Sequence, residues 1–242
     1  MKNTVIIIPA RLAAKRFPNK PLAKIKGLPM IVHVFNRAKE SNIGEVVVAT
    51  PDNEIFEIVE KNGGYAVLTQ FDHQSGSDRV YEVYQKNFVN NAELIINLQG
   101  DMPNIDPESI SKLEKHMRKN NCDIGTLASI LEKNEIMNPN VVKVQVDEDM
   151  TISNFLVAKD FFRIKKDLKN EKIYHQIGIY AFTKDALTKY VKLSRSKLEI
   201  ERSLEQMRAM ENNMKIKVGL CHSKPLGVDT VEGLKKATES MK

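Results

Sequence analysis

The run Val5-Ile6-Ile7-Ile8 passes straight into Pro9-Ala10-Arg11-Leu12-Ala13-Ala14-Lys15-Arg16-Phe17-Pro18-Asn19-Lys20-Pro21. Consecutive β-branched residues without polar alternation read as a strand covered on both faces, the pattern of a parallel sheet with helices on either side. The segment that follows is stiffened by three prolines and carries four cations between Arg11 and Lys20. Working outward, Met30 to Glu40 has helical period, Val46 to Ala49 is a second apolar run, and Ile55 to Lys61 is again helical. A strand over Tyr65 to Thr69, a helix over about Asp78 to Asn87 and a strand over Leu94 to Leu98 continue the alternation. At Asp106-Pro107-Glu108 a further helix opens, with Asp to cap, Pro at the first helical position and Glu at the positive end of the dipole. This βαβ rhythm predicts an α/β fold with a mostly parallel sheet flanked by helices.

Beyond Met137 the period changes. Val141 to Val146 alternates at a spacing near two and is followed by Thr151 to Val157, which predicts antiparallel strands. The charged stretch Asp160 to Lys172 reads as an exposed, mobile connection before a strand over Gly178 to Phe182. A helix over Leu198 to Met210, a strand over Lys215 to Leu220 and a last helix from about Thr230 complete the pattern. The expectation is one domain over residues 1–242, with residues 137–182 a smaller, partly antiparallel subregion.

With 242 residues, 42% hydrophobic and 28% charged, the chain can bury a core, and its composition excludes disordered, collagenous and coiled-coil classes. The net charge of +6 suits an anionic partner, but the cations are scattered and no metal-finger spacing, basic heptad or aromatic-rich basic segment marks a nucleic-acid reader. A small phosphorylated ligand fits the charge as well. Cys122 and Cys221 have no C-x-x-C spacing, so two reduced, packed thiols are expected. Val5 to Ile8 is far too short for a signal peptide or a membrane span, and the protein is expected in the cytoplasm without a membrane partner.

Ligands of open α/β sheets bind beyond the carboxyl ends of the strands, where the basic loop lies. Arg forks and a Lys point charge there can hold a phosphate chain. No G-x-G-x-x-G or G-x-x-x-x-G-K-[ST] cradle is present. The strand Leu94 to Leu98 ends in Gln99-Gly100-Asp101, delivering to the same edge a carboxylate that could ligate magnesium or cap a turn. Leu226-Gly227-Val228-Asp229-Thr230 precedes a helix that either Asp229 or Thr230 could cap. His73-Gln74-Ser75-Gly76-Ser77-Asp78-Arg79 is a polar loop suited either to hydrogen-bonding a base or sugar or to capping.

Taken together and in order, the Pro9-Ala10-Arg11 loop ending Pro18-Asn19-Lys20-Pro21, the HQSG turn, the NLQGD strand end, the LEQMR helix and the GVDT turn resemble the 3-deoxy-manno-octulosonate (Kdo) cytidylyltransferases. The resemblance spans essentially the whole chain. It implies a nucleotide-diphospho-sugar transferase-like fold, CTP and Kdo as substrates, transfer of CMP to the C2 hydroxyl of Kdo with release of pyrophosphate, a magnesium cofactor, a homodimer paired through the subregion, and a role in lipopolysaccharide assembly. It also implies roles by motif position. Pro9, Ala10, Arg11, Arg16 and Lys20 would cradle the triphosphate, with Arg11, Lys20 and Asp101 carrying the catalysis. Ser75, Gly76 and Arg79 would face the cytidine, Gln99, Glu205 and Gln206 would line the sugar pocket, and Asp101 and Asp229 would ligate the metal.

Some positions depart from the usual pattern of that family. Met102 stands where Glu follows the Asp, Asn19 where Gly precedes the Lys, and Gln176 where His precedes Ile177-Gly178, with His175 one position earlier. Asn154 to Val157 carries no Arg. Two other readings fit the same residues: a cytidylyltransferase for another acid sugar, and a non-catalytic nucleotide-binding protein.

Overall fold

The computed structural model describes residues 3–13, 17–165, 171–221 and 223–241. They group into two compact units, residues 1–111 with 225–242, and residues 112–224.

In the first unit the opening run forms strand β1 (Thr4–Pro9), with Ile6, Ile7 and Ile8 wholly buried. Two short strands, β2 (Lys24–Ile25) and β3 (Leu28–Pro29), make a small antiparallel sheet. Helix α1 (Met30–Glu40), strand β4 (Glu45–Thr50), helix α2 (Asn53–Lys61), strand β5 (Ala66–Leu68), helix α3 (Gly76–Val83), strand β6 (Leu94–Leu98) and helix α4 (Pro107–Lys119), of which only residues 107–111 belong to this unit, follow. The strands lie in the order β5-β4-β1-β6, all parallel, in register at Ile6↔Val46 and Ile6↔Ile96. Parallel strands end at one edge, so the segments after β1, β4, β5 and β6 all emerge there. The helix expected over 78–87 begins earlier, at Gly76, and passes into a π-helical turn over Tyr84–Phe88 whose two aromatic ends are buried.

The unit is completed by the C-terminal helix Val231–Ser240, capped by Thr230. Val228 and Ala237 share a buried cluster with Ile25 and Met30, against which Phe17, Leu226, Leu234 and Met241 pack. This apolar contact ties the last segment of the chain to the residues that flank Lys20.

The second unit contains β7 (Ile124–Ile130), β8 (Lys143–Val146), β9 (Phe155–Val157), β10 (Asp160–Phe162), β11 (Lys172–Thr183), α5 (Lys184–Val191), α6 (Lys197–Arg202), α7 (Gln206–Glu211) and β12 (Ile216–Leu220). Its order is β11-β7-β12-β9, and β8 pairs with both β11 and β10. Of these pairs β7–β12 is parallel and the others antiparallel.

Four expectations for this unit are corrected. Asp160 to Phe162 is a strand, not part of a mobile connection: Phe161 and Phe162 are buried, and Arg202 Nη1 donates to the Phe161 carbonyl at 2.7 Å and to the Asp160 carboxylate. The adjoining strand starts at Lys172, six residues before Gly178, while residues 166–170 of that stretch lie outside the described residues. Thr151 to Asn154 is a turn, closed by the Thr151 N–H on Asn154 Oδ1 at 2.8 Å, so the strand begins only at Phe155. The helix expected over Leu198 to Met210 is two helices, because Ser203 adopts a left-handed backbone (φ 53°) and ends α6.

That break folds Arg208 back onto Glu199. Arg208 Nε donates to Glu199 Oε2 at 2.8 Å and Nη2 to Oε1 at 2.7 Å, both side chains are buried, and the guanidinium lies 4.8 Å from the Tyr190 ring centre. Burial pushes the Glu199 carboxyl up, but the Arg208 fork, with Ser196 and Arg195, holds it below the usual carboxylate range. A carboxylate depressed in this way stabilises the fold above its unfolded pKa and loses that contribution as pH falls through the folded value. Removing one partner of a buried pair strands the other, so Arg208→Ala is expected to lower stability by about 3–5 kcal/mol, read as a shifted urea midpoint. A midpoint unchanged from the parent would show that the pair carries no net stability.

Cys122 and Cys221 are buried and reduced. Burial pushes the Cys122 thiol up to about 11, and Cys221 Sγ is engaged with the Ser223 and Ala128 carbonyls, so both behave as packed thiols. Among the described residues no helix is long and apolar enough to cross a membrane.

Candidate active site

The loop after β1 is tied to the carboxyl end of β4. Ala10 N–H donates to the Ala49 carbonyl at 2.9 Å, and Leu12 N–H donates to Asp52 Oδ2 at 2.8 Å. Asp52 is a site-edge residue that no sequence motif marks. Pro9 is half-buried, Ala10 buried and Arg11 exposed, while Arg16 lies outside the described residues. The loop turns at Asn19, whose left-handed backbone (φ 57°, ψ 21°) explains why Asn can stand where Gly is usual, since Asn is among the few side chains that tolerate this region. A single turn over Lys20–Leu22 then projects Lys20 inward.

Lys20 Nζ lies 3.0 Å from Asp101 Oδ2 and 3.2 Å from Asp229 Oδ1. Burial works against the ammonium, but the two carboxylates outweigh it and raise the Lys20 pKa above its ordinary value. Three residues from the two ends and the middle of the sequence thus converge within the first unit. Backbone bonds hold them: Val228 N–H donates to the Asp101 carbonyl at 2.9 Å, and Leu226 N–H to Asn104 Oδ1 at 2.9 Å. Gly100 permits the close approach, since a Cβ there would stand 3.2 Å from the Pro9 carbonyl oxygen and 3.3 Å from Ile31 Cδ1. The capping question is resolved as well. Thr230 Oγ1 accepts from Gly233 N–H at 3.1 Å, so Thr230 caps the last helix and the Asp229 carboxylate is directed to Lys20.

The donor set fits magnesium. That ion takes one or two protein carboxylates and completes its shell with water and phosphate oxygens, and Asp101 and Asp229 both lie within 3.2 Å of the Lys20 ammonium. Asp101 and Asp229 are two hard oxygen donors held together by a single positive charge. Met102, in the position usually occupied by Glu, is buried in the core and adds no oxygen ligand.

The HQSG turn is a capped helix start. Ser75 Oγ accepts from Asp78 N–H at 3.1 Å, and Asp78 Oδ2 accepts from Ser75 N–H at 3.0 Å. A Cβ on Gly76 would lie 3.5 Å from Pro9 Cγ and 3.8 Å from Gln99 Nε2, so the N-terminus of α3 stands at the carboxyl ends of β1 and β6. Positive potential from that terminus and from Arg11 therefore falls on the same edge. Arg79, read from the sequence as facing a nucleoside, is buried and donates to Thr69 Oγ1 and to the Gln70 carbonyl at 2.9 Å. Its pKa is lowered by burial first and then by Arg11, so the two guanidinium groups feel each other.

Gln99 Nε2 donates to Asn97 Oδ1 at 3.1 Å, and Asn97 Nδ2 reaches Ser77 Oγ at 3.5 Å. Glu205 and Gln206 belong to the second unit. There the Glu205 carbonyl accepts from Tyr190 Oη at 3.0 Å, and Gln206 Nε2 is buried without a hydrogen-bond partner among the described residues. Also in that unit, His175 Nδ1 pairs with Glu135 Oε1 at 2.9 Å, and Gln176 Nε2 donates to Thr126 Oγ1 at 3.2 Å.

A basic loop and two carboxylates at the carboxyl edge of a parallel sheet, with a helix start beside them, make up a nucleotidyltransferase type of site. The chain belongs to the cytidylyltransferase family, whose model, described as "Cytidylyltransferase", matches residues 5–216. Within that family it is similar to 3-deoxy-manno-octulosonate cytidylyltransferases. One from Brucella anthropi is 44% identical over 97% of this chain and 94% of its own length, and one from Sinorhizobium medicae is 45% identical over 96% and 93%. A solved structure of a CMP:2-keto-3-deoxy-manno-octonic acid synthetase complexed with CTP superimposes with a TM-score of 0.87 at 36% identity, covering 98% of this chain and 97% of that one.

Proposed function

We propose that the protein transfers CMP from CTP to the C2 hydroxyl of Kdo, giving CMP-Kdo and pyrophosphate. The observation that carries this reading is the convergence of Lys20, Asp101 and Asp229 at the edge of the sheet in a chain of this family. In-line attack of an alcohol on the α-phosphorus asks the protein chiefly for positioning and charge neutralisation. Arg11, Arg16 and Lys20 would bind the triphosphate and offset the charge that builds on departing pyrophosphate. The Ser75–Gly76 turn would present backbone donors to the nucleotide, with buried Arg79 holding the approach to that turn. By the family resemblance Gln99 would contact the sugar acid, a role that the same resemblance gives to Glu205 and Gln206. Asp101 and Asp229 would hold magnesium, which when bound would supply a Lewis acid at the phosphate and lower the pKa of the attacking hydroxyl. The same reading carries with it a cytoplasmic homodimer whose product is consumed in lipopolysaccharide assembly.

A coupled pyrophosphate assay across the four ribonucleoside triphosphates and several acid sugars tests the proposal. Turnover is expected only with CTP, Kdo and magnesium together. Equal rates with all four nucleotides, or no turnover with any sugar, would refute it.

A further inference from the structure

The connection from β5 to α3 is held by polar groups that the reaction itself does not account for. Gln70 has both backbone groups taken by side chains one turn apart on α3: its N–H donates to the Glu82 carboxylate at 3.0 and 3.3 Å, and its carbonyl accepts from Arg79 Nη1 at 2.9 Å. Three residues on, His73 Nε2 lies 2.5 Å from Glu82 Oε2. Lys86 Nζ reaches the other oxygen of Glu82 at 2.5 Å. Glu82 is largely enclosed, and burial alone would push its carboxyl up, yet the donors from Lys86, His73 and Gln70 hold it below the usual range as an anion.

Between the two anchored residues Phe71 is 71% exposed and Asp72 is exposed too. No apolar packing of the tip therefore sets the course of the loop, and the polar latch does. Two residues beyond His73 the chain enters the Ser75–Gly76 turn against Pro9 and Gln99. A loop fixed before its ligand arrives loses less entropy on binding, and misplacing such a turn weakens every contact it makes.

We infer that Glu82 and His73 are positioning residues for the nucleoside triphosphate: their contact fixes residues 70–74 so that the Ser75–Gly76 turn stands ready at the carboxyl ends of β1 and β6. This rests on the reading of that turn as part of a CTP site. Neither side chain touches the reacting atoms, so the effect falls on nucleotide affinity and not on the chemical step.

The test is calorimetric titration of the full chain with CTP, together with steady-state kinetics, for Glu82→Gln, His73→Ala, His73→Gln and the control Lys86→Ala, which removes only the exposed partner. Glu82→Gln and His73→Ala are expected to weaken CTP binding and raise its KM about fivefold or more, with kcat within about twofold and the KM for the sugar unchanged. His73→Gln, which keeps a donor of similar reach, is expected to recover most of the loss, and Lys86→Ala to match the parent. Unchanged CTP affinity in folded Glu82→Gln and His73→Ala overturns the inference alone. So does a parallel fall in kcat, both affinities and melting temperature, which is the signature of packing. If the parent protein binds no CTP, the reading of the site falls and the inference with it.

Discussion

Replacing Lys20 with Met is expected to lower kcat/KM for CTP by about 10²- to 10³-fold, the loss typical of removing one preorganised charge from a developing anion. The methionine side chain keeps the length and the buried stem, so the change isolates the ammonium. Its position between Asp101 and Asp229 gives a second consequence. Without it two carboxylates face one another, and the variant melts at a lower temperature than the parent. Because the Lys20 pKa is raised in the folded protein, its stabilising contribution is fully present below the unfolded lysine value of about 10.4 and is lost only as pH rises through the folded value. The stability gap between parent and variant is therefore constant through neutral pH and closes at strongly alkaline pH. Combining Lys20→Met with Asp229→Asn restores melting without restoring rate. A rate within about twofold of the parent would reduce the loop to a solvated charged face.

Asp101→Asn and Asp229→Asn are each expected to slow turnover by about 10²-fold at fixed magnesium and to raise the magnesium needed for half-maximal rate. Asn preserves size and removes charge. Since Thr230 and not Asp229 caps the last helix, Asp229→Asn leaves that helix and its buried cluster intact, and the kinetic effect cannot be assigned to lost capping. The double mutant should lose less than the sum of the single losses, because both carboxylates act through one bound ion. Rates measured against magnesium concentration for the four proteins decide the matter. An unchanged metal response in both single mutants removes these residues from the metal site.

The first half of the fold was readable because its strands are apolar runs buried on both faces. Val5 to Ile8, Val46 to Ala49 and Leu94 to Leu98 fall within or coincide with β1, β4 and β6, and the Asp106-Pro107-Glu108 signal opens α4 where it should. Legibility falls where tertiary contacts overrule local pattern. Nothing local announces that Ser203 takes a left-handed turn, the turn that brings Arg208 back onto Glu199. Phe161 and Phe162 are hidden among charges, one of which, Lys165, covers the Phe162 ring at 5.5 Å instead of repelling the strand into solvent. In the site, the basic loop after β1 and Asp101 at the end of β6 stood out as candidates, but the roles of Lys20, Asp101 and Asp229 came only from the family resemblance, and choosing between Asp229 and Thr230 as cap required the hydrogen bond itself. Glu82 carried no motif at all: a glutamate inside an amphipathic helix reads as solvent-facing, and only the return of the loop upon it gives it a role.

CMP is expected to reach the sugar at this edge of the sheet, and phosphorus NMR of the reaction mixture tests that most directly. With CTP, Kdo and magnesium, the parent protein should convert the triphosphate resonances into one phosphodiester signal and an equimolar amount of pyrophosphate, with no conversion when Kdo is omitted, and Lys20→Met should show almost none in the same time. Pyrophosphate or phosphate released without a sugar-linked CMP signal, or equal conversion by Lys20→Met, would contradict it.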